Sequence, residues 1–411
     1  MITKIKKKRI VDFSISRQII NSEFWSKDID QNYHPSGYFG EESKSVVYSK
    51  GVINLTNFYP ILLKEWFFVL KKKGYLVIDY VPNKILDFDK IEKSLWWLWK
   101  QRYDLVYHGK LSSSLDIIKK IKILKKIPGR AEKNYFRIIC KKIESTKIIG
   151  DSINKWTFGI VSNGARKDWI DLSIQSIRNQ KIPHYEIIIC GKYSGKKEVD
   201  IKYIPFTDRD DKGWITKKKN LINKLASYQN VCVMHDRYIF DDDWYKKTKE
   251  YGNSFEYLTN IQKYKNIRAG DWLSLGGRKF AAHKTRLIDY RDWDKYVILS
   301  GGHIISKKSI LNKVPFNESL YWNGAEDVQL GHDMMDSGYI PRINHAKVNV
   351  LSFRFGRLPY KPFGKKIYLP DMPLRRFITT LAALVNFIPG MHTRLYNFAK
   401  KTGIYNIFYR M

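Results

Sequence analysis

The sequence predicts an α/β fold: a mostly parallel sheet with flanking helices, preceded by a smaller α/β domain. Three observations predict it. Apolar β-like runs alternate with stretches of helical period from Thr157 to Asp236, as in βαβ units. Three of those runs end in small or polar residues, Ser162-Asn163, Gly191-Lys192 and His235-Asp236, as strands do when their carboxyl ends line one crevice. Upstream, a strand-like run, a helical pattern and a second strand-like run follow one another from Val52.

Taken in order, residues 1–50 are polar and aromatic without a clear period. "VINLTNFYPILLKEWFFVLKKKGYLVIDYVPN" then reads as strand, turn, helix, stop and strand. Leu62, Leu63, Trp66, Phe67 and Leu70 recur at helical spacing. Gly74 stands where a helix C-cap glycine belongs. A helix from Ile91 to Lys100 leads to two strand-like segments, "YDLVYHG" and "YFRIICKKI". Residues 146–156 read as a link. "TFGIVSNG" is a strand, and "DWIDLSIQSIRNQKIP" a helix with Ile170, Ile174 and Ile177 on one face. "YEIIICGKYSG" and "KYIPF" are strands, "GWITKKKNLINKLASY" a helix and "NVCVMHD" a strand. The domains expected are 1–148, 155–356 and a basic, amphipathic helical extension over 357–411.

Composition narrows the classes. The chain of 411 residues is 44% hydrophobic and 15% aromatic, which excludes a disordered chain. Its formal net charge of +34 suits nucleic acid, an anionic membrane surface or anionic substrates; Lys- and Asn-rich residue usage explains it equally well. The lysines are spread along the chain, so the charge alone does not establish nucleic-acid binding, and nucleic acid is not the expected partner given the motifs below. Cys140, Cys190 and Cys232 lie in apolar runs with no Cys-x-x-Cys pair, which points to buried thiols and a cytoplasmic setting. The N-terminal basic run has no apolar core after it, and no stretch reaches the ~18 apolar residues of a membrane span. Leu374, Phe377, Ile378, Leu381, Leu384, Val385 and Ile388 recur at helical intervals beside Arg375 and Arg376. Such a helix suits peripheral attachment to the inner face of a membrane, or docking on a protein.

Two resemblances follow from these motifs. Residues of roughly 45–145, through "EWFFVLKKKGYLVIDYVPN" and "YDLVYHG…YFRIICKK", resemble the C-terminal half of a class I S-adenosylmethionine methyltransferase. No Gly-x-Gly turn precedes Val52, and that family's cofactor needs glycine for close backbone approach. The segment is therefore expected to be a degenerate, structural or docking domain. Residues 156–350 resemble GT-A-fold (Rossmann-like) glycosyltransferases of family 2. Five segments carry the likeness in order: "TFGIVSNG", "SIQSIRNQKIPHYEIIICG", "TKKKNLINKLAS", "VMHDRYIFDDDWY" and "SGGHIISKKSILNKVPFNESLYWNGAEDVQLGHDMMDSG".

The second resemblance implies transfer of a hexosyl-type sugar from a nucleotide-sugar donor to a glycan or lipid-linked acceptor in polysaccharide synthesis. It implies donor binding by Ser162, Asn163, Gly191, Lys219, Asp236, Arg237, Gly301 and Gly302. Negative charge growing on the leaving diphosphate must be met by fixed cations. A divalent ion, Mn2+ or Mg2+, on Asp236 and His345 is one implied answer. Arg237 stands in place of the second motif carboxylate, and its forked donors also suit phosphate. Asp241, Asp242 and Asp243 fit capping of the helix at Trp244. Asp327 is the implied general base, with Glu326 beside it, which implies in-line displacement with inversion. Trp322 and Asn323 are expected against the acceptor. A methyltransferase and a non-catalytic nucleic-acid-binding protein are the competing classes.

Overall fold

The structure is a computed structural model and describes residues 10–14, 29–125, 127, 134–148, 150–195, 198–278, 285–353 and 358–364. The chain forms two compact units. One comprises Met1–Ile149 with Tyr251–Glu256 and Met334–Ile340, the other Gly150–Glu250, Tyr257–Asp333 and Pro341–Met411. The basic helix expected beyond residue 365 lies outside the described residues. Among the described residues no helix is long and apolar enough to cross a membrane.

The first unit contains β1 (Ile10–Asp12), α1 (Pro35–Phe39), β2 (Lys44–Lys50), α2 (Tyr59–Val69), β3 (Leu70–Tyr80), α3 (Phe88–Trp99), β4 (Tyr103–Lys110), α4 (Leu115–Lys120) and β5 (Phe136–Lys142). Its sheet runs β1-β2-β3-β5-β4. The first three strands are parallel, and β5 is antiparallel between β3 and β4. Alternation along the strands puts Val46, Tyr48, Val77 and Ile139 on one face, where Ile118 of α4 and Leu124 pack. Helix α2 is buried from Pro60 to Val69, so its apolar residues have no polar face to spare.

Two sequence readings need correction here. The strand expected at Val52 is a 3-10 turn, and the strand itself is β2, seven residues long and ending at Lys50. Gly74 is not a helix cap: α2 ends at Val69, and Gly74 lies inside β3. The exposed Lys71, Lys72 and Lys73 bulge out where β3 loses register with β2, and Lys73 takes the left-handed conformation with φ 63°. Gly74 is needed for close approach, because a Cβ there would fall 2.8 Å from the carbonyl oxygen of Ser45. A buried amine completes the helix end instead. Lys142 Nζ donates to the carbonyls of Phe67 at 2.8 Å and Leu70 at 2.5 Å, which have no partner within the helix. Burial lowers the pKa of Lys142 to about 8, against the pull of Glu42.

The second unit contains β6 (Lys155–Asn163), α5 (Lys167–Asn179), β7 (His184–Lys192), β8 (Ile201–Ile204), α6 (Ile215–Leu225), β9 (Asn230–His235), β10 (Tyr238–Phe240), α7 (Trp244–Tyr251), β11 (Tyr257–Tyr264), β12 (Ile267–Arg268), β13 (Trp272–Ser274), β14 (Arg286–Ile288), β15 (Val297–Leu299), β16 (His303–Lys307), α8 (Lys308–Lys313), α9 (Glu326–Asp336), β17 (Pro341–Val350) and β18 (Tyr360–Lys361). The main sheet runs β10-β17-β11-β16-β9-β6-β7-β8, and β12 pairs with β11. Strands β9, β6, β7 and β8 are parallel, as the helical crossovers demand. The expectation of a mostly parallel sheet holds: β17 and β11 run parallel to each other and in the same direction as β9, and only β16, β10 and β12 run the other way. A glycine turn, not a crossover helix, precedes the reversed strand β16. A second sheet runs β15-β13-β14-β18, and Tyr360–Lys361 of the 357–411 segment form its edge strand. Gly301-Gly302 is where the chain passes from that small sheet into the main one.

Candidate functional site

The parallel half of the main sheet builds one wall of the site. Ser162 and Asn163 end β6 beside Gly191 and Lys192 of β7. Both polar side chains shape the turn into α5: Ser162 Oγ accepts from Gly164 N at 2.9 Å, and Asn163 Oδ1 from Ala165 N at 3.0 Å. Gly191 has φ 126°, and a Cβ there would lie 1.9 Å from the Ser162 carbonyl oxygen. Gly191→Ala is thus expected to push the two strand ends apart. It should cost more than about 1 kcal/mol of stability, read in a urea melt.

Lys218, which the sequence reading passed over, is buried at this wall. Its Nζ donates to the Ser162 carbonyl at 2.9 Å and to Asp210 Oδ1 at 2.7 Å. Lys219, the residue singled out, faces elsewhere. It is fully buried and donates to the Gly301 carbonyl at 2.8 Å and to Glu326 Oε1 at 3.3 Å. Helical geometry separates them, since neighbours on a helix point about 100° apart.

Asp236 follows β9 and is buried. Its Oδ1 accepts from Arg166 Nη1 at 3.3 Å, an arginine at the N-cap of α5 that the sequence reading also missed. Burial raises the Asp236 pKa, opposed by the charges of Arg166 and Arg237. The preceding His235 donates its backbone N–H to the Gly302 carbonyl at 2.9 Å. Gly301 in turn donates its N–H to Asp327 Oδ2 at 3.0 Å. One dipeptide therefore joins the end of β9 to the start of α9. Glycine is required at both of its positions. A Cβ on Gly301 would fall 2.8 Å from Glu326 Oε1, and one on Gly302 would fall 2.3 Å from the Tyr238 hydroxyl.

Asp327 is held at both oxygens, the second by Val328 N at 2.9 Å. Each oxygen keeps a further lone pair for a proton. Burial raises its pKa, and the adjacent Glu326 charge adds to the rise; the N–H groups of Gly301 and Val328 and the Lys219 charge oppose it. The helix is set by packing: Val328 joins Leu275 and Ile298 in an apolar cluster under the small sheet. The backbone entering α9 is strained, with φ 66° at Asn323 and 56° at Ala325. Trp322 is 53% exposed, and its N–H meets the Gly213 carbonyl at 2.9 Å.

A divalent cation does not fit these residues. Among the described residues no group of three His, Cys, Asp or Glu side chains is arranged to hold a metal ion. Asp236 faces two arginines in place of a second carboxylate. His345 is exposed on β17. Strand β10 meets that strand at Val348–Val350, with Tyr238 opposite Val350, so His345 lies roughly 16 Å further along it at about 3.3 Å per residue. The structure does not bring His345 to Asp236. Asp241 and Asp243 serve α7: Asp241 O accepts from Trp244 N at 3.0 Å, and Asp243 pairs with Lys247 at 2.6 Å.

No protein-family model and no curated protein matches this chain. Among solved structures it is similar to S. aureus TarS 1–349, with 14% identity over 48% of this chain and 60% of that one, at a TM-score of 0.34. It is similar to GalNAc-T7 with UDP, GalNAc and Mn2+, at 12% identity over 51% and 48% of the two chains and a TM-score of 0.37. It is also similar to the mannosyltransferase PcManGT from Pyrobaculum calidifontis in complex with GDP-Man and Mn2+, at 12% identity over 61% and 73% and a TM-score of 0.34. The chain thus spans less than two thirds of TarS 1–349 and of GalNAc-T7. Likeness of this degree leaves the fold and chemistry of the chain to be read from its own residues.

Proposed function

We propose that the second unit is a GT-A-type glycosyltransferase that moves a sugar from a nucleotide-sugar donor to a hydroxyl acceptor with inversion. One observation carries the reading. The Gly301-Gly302 dipeptide links the strand end at Asp236 to the carboxylate of Asp327, through bonds of 2.9 and 3.0 Å. These bonds support a single crevice that holds both a site for the leaving diphosphate and a base for the incoming alcohol. Asp327 takes the proton of the acceptor hydroxyl as its oxygen attacks the anomeric carbon, and Lys219 fixes Glu326 and Gly301 behind it. Trp322 and Asn323, at the exposed edge, are suited to an acceptor sugar. A hexosyl donor, and a glycan or lipid-linked acceptor in surface polysaccharide synthesis at the inner face of a membrane, complete the proposal.

The first unit is read as a degenerate methyltransferase-like domain with a structural role. Its strand order, with one antiparallel strand inserted next to last, supports the likeness. The carboxyl ends of its parallel strands are closed by their own hydrogen bonds, which supports the loss of ligand binding. Lys50 N donates to Ser14 Oγ at 3.1 Å, Gly51 N to the Asp79 carbonyl at 2.8 Å and Val81 N to Asn54 Oδ1 at 2.9 Å.

A thermal-shift screen of nucleotide sugars tests the transferase reading. One donor is expected to raise the melting temperature, since a ligand at a hundred times its Kd adds about 2.7 kcal/mol to stability. A flat response to every nucleotide sugar would remove the reading.

A further inference from the structure

We infer that this site receives the donor's diphosphate on two arginines, Arg166 and Arg237, without a divalent metal ion. The inference rests on the transferase reading above and goes beyond it in assigning the cations. Arg166 is 39% exposed and rests over the Trp169 ring at 4.7 Å. Its one bond to Asp236, at 3.3 Å, is long for an ion pair between a guanidinium and a carboxylate. A guanidinium carries five N–H donors, so the contact positions Arg166 without exhausting it. Arg237 follows directly on Asp236 and has a buried Nε with no hydrogen-bond partner among the described residues. A buried donor left unmade is costly, and a phosphate oxygen would satisfy it. The two guanidiniums together carry the charge of one divalent ion. Arg166 stands where α5 begins, so the positive end of a helix of 13 residues adds to its field.

In the resting site Asp236 occupies Arg166 as an internal stand-in for phosphate. The donor's diphosphate displaces that weak bond. When the anomeric C–O bond breaks, its electron pair stays on the distal phosphate oxygen, which the guanidinium N–H groups meet. The acceptor oxygen forms the new bond to the anomeric carbon, and its proton passes to Asp327. Asp236 is thus a positioning residue for arginine and not a metal ligand.

The two roles predict opposite effects of Asp236→Asn. The test is calorimetry on the full chain with UDP and GDP, and with UMP and GMP, in EDTA and again with MnCl2. The parent protein is expected to bind one nucleoside diphosphate equally well in both conditions. Arg166→Gln should weaken that binding about tenfold, the scale of one charge-assisted bond, while nucleoside monophosphate binding changes little. Asp236→Asn should keep or tighten diphosphate binding, because the competing carboxylate is gone. Circular dichroism checks the fold of each variant, and Arg166→Lys should restore part of the affinity. Binding that appears only with MnCl2 and is lost in Asp236→Asn would overturn the inference and leave the transferase reading standing. Failure of UDP and GDP to bind under either condition would take down both.

Discussion

Asp327→Asn is expected to lower kcat roughly a hundred- to ten-thousand-fold, the range contributed by a positioned general base, while nucleotide-sugar affinity stays within about twofold. The carboxamide keeps the size of the side chain and one acceptor oxygen for the Gly301 N–H. It cannot take the acceptor proton. Turnover assays with calorimetry of donor binding separate the two effects; turnover near the parent rate would remove Asp327 as the base. The parent protein carries a second signature. Burial and the neighbouring Glu326 charge raise the Asp327 pKa. The acid limb of log kcat/KM against pH should therefore fall with unit slope at a pH above the ~3.9 of a free aspartate. The linkage has a definite sign. With its folded pKa above the unfolded one, Asp327 takes stability away as pH rises from the unfolded value through the folded one. The asparagine variant should lose that dependence in urea melts taken across the same window.

Arg137→Met is expected to give the largest loss of stability, about 3–5 kcal/mol, read from urea unfolding followed by tryptophan fluorescence. Arg137 is fully buried in β5 of the first unit and grips Asp79 with two bonds of 2.6 Å. The methionine variant leaves Asp79 with the Tyr48 hydroxyl at 2.8 Å and only the weaker attraction of the Lys50 charge. Burial already raises the Asp79 pKa, with Arg137 the main force opposing it. The variant aspartate should therefore take up a proton, so its deficit shrinks as pH falls. A double variant, Asp79→Leu with Arg137→Met, should recover most of the loss, because no uncompensated charge remains. Equal stability of Arg137→Met and the parent would show that the pair contributes nothing.

The helices and strands that repeat a period were legible in the sequence. Helix α5 shows Ile170, Ile174 and Ile177 on one buried face, and β6, β7 and β9 read as apolar runs with polar ends. Local pattern was blind where the deciding contact is non-local. Gly74 looks like a helix cap because it follows three lysines, yet Ser45 of the neighbouring strand sets its role. Lys218 and Lys219 are equivalent in sequence, and their positions on α6 send one to Ser162 and Asp210, the other to Gly301 and Glu326. Arg166 carries no signal beyond its place after a strand end. His345 looked suited to a metal and lies far along β17, exposed.

By itself the sequence determined which residues are strand ends and helix starts, because burial periodicity and turn chemistry are local. It therefore determined that Asp236 and Asp327 each stand at the end of an element. Tertiary structure alone decided that one glycine pair connects them. That depends on β16 pairing antiparallel to β9, which brings Gly302 against His235 and Gly301 against Asp327, and backbone hydrogen bonds between distant segments leave no trace in local sequence.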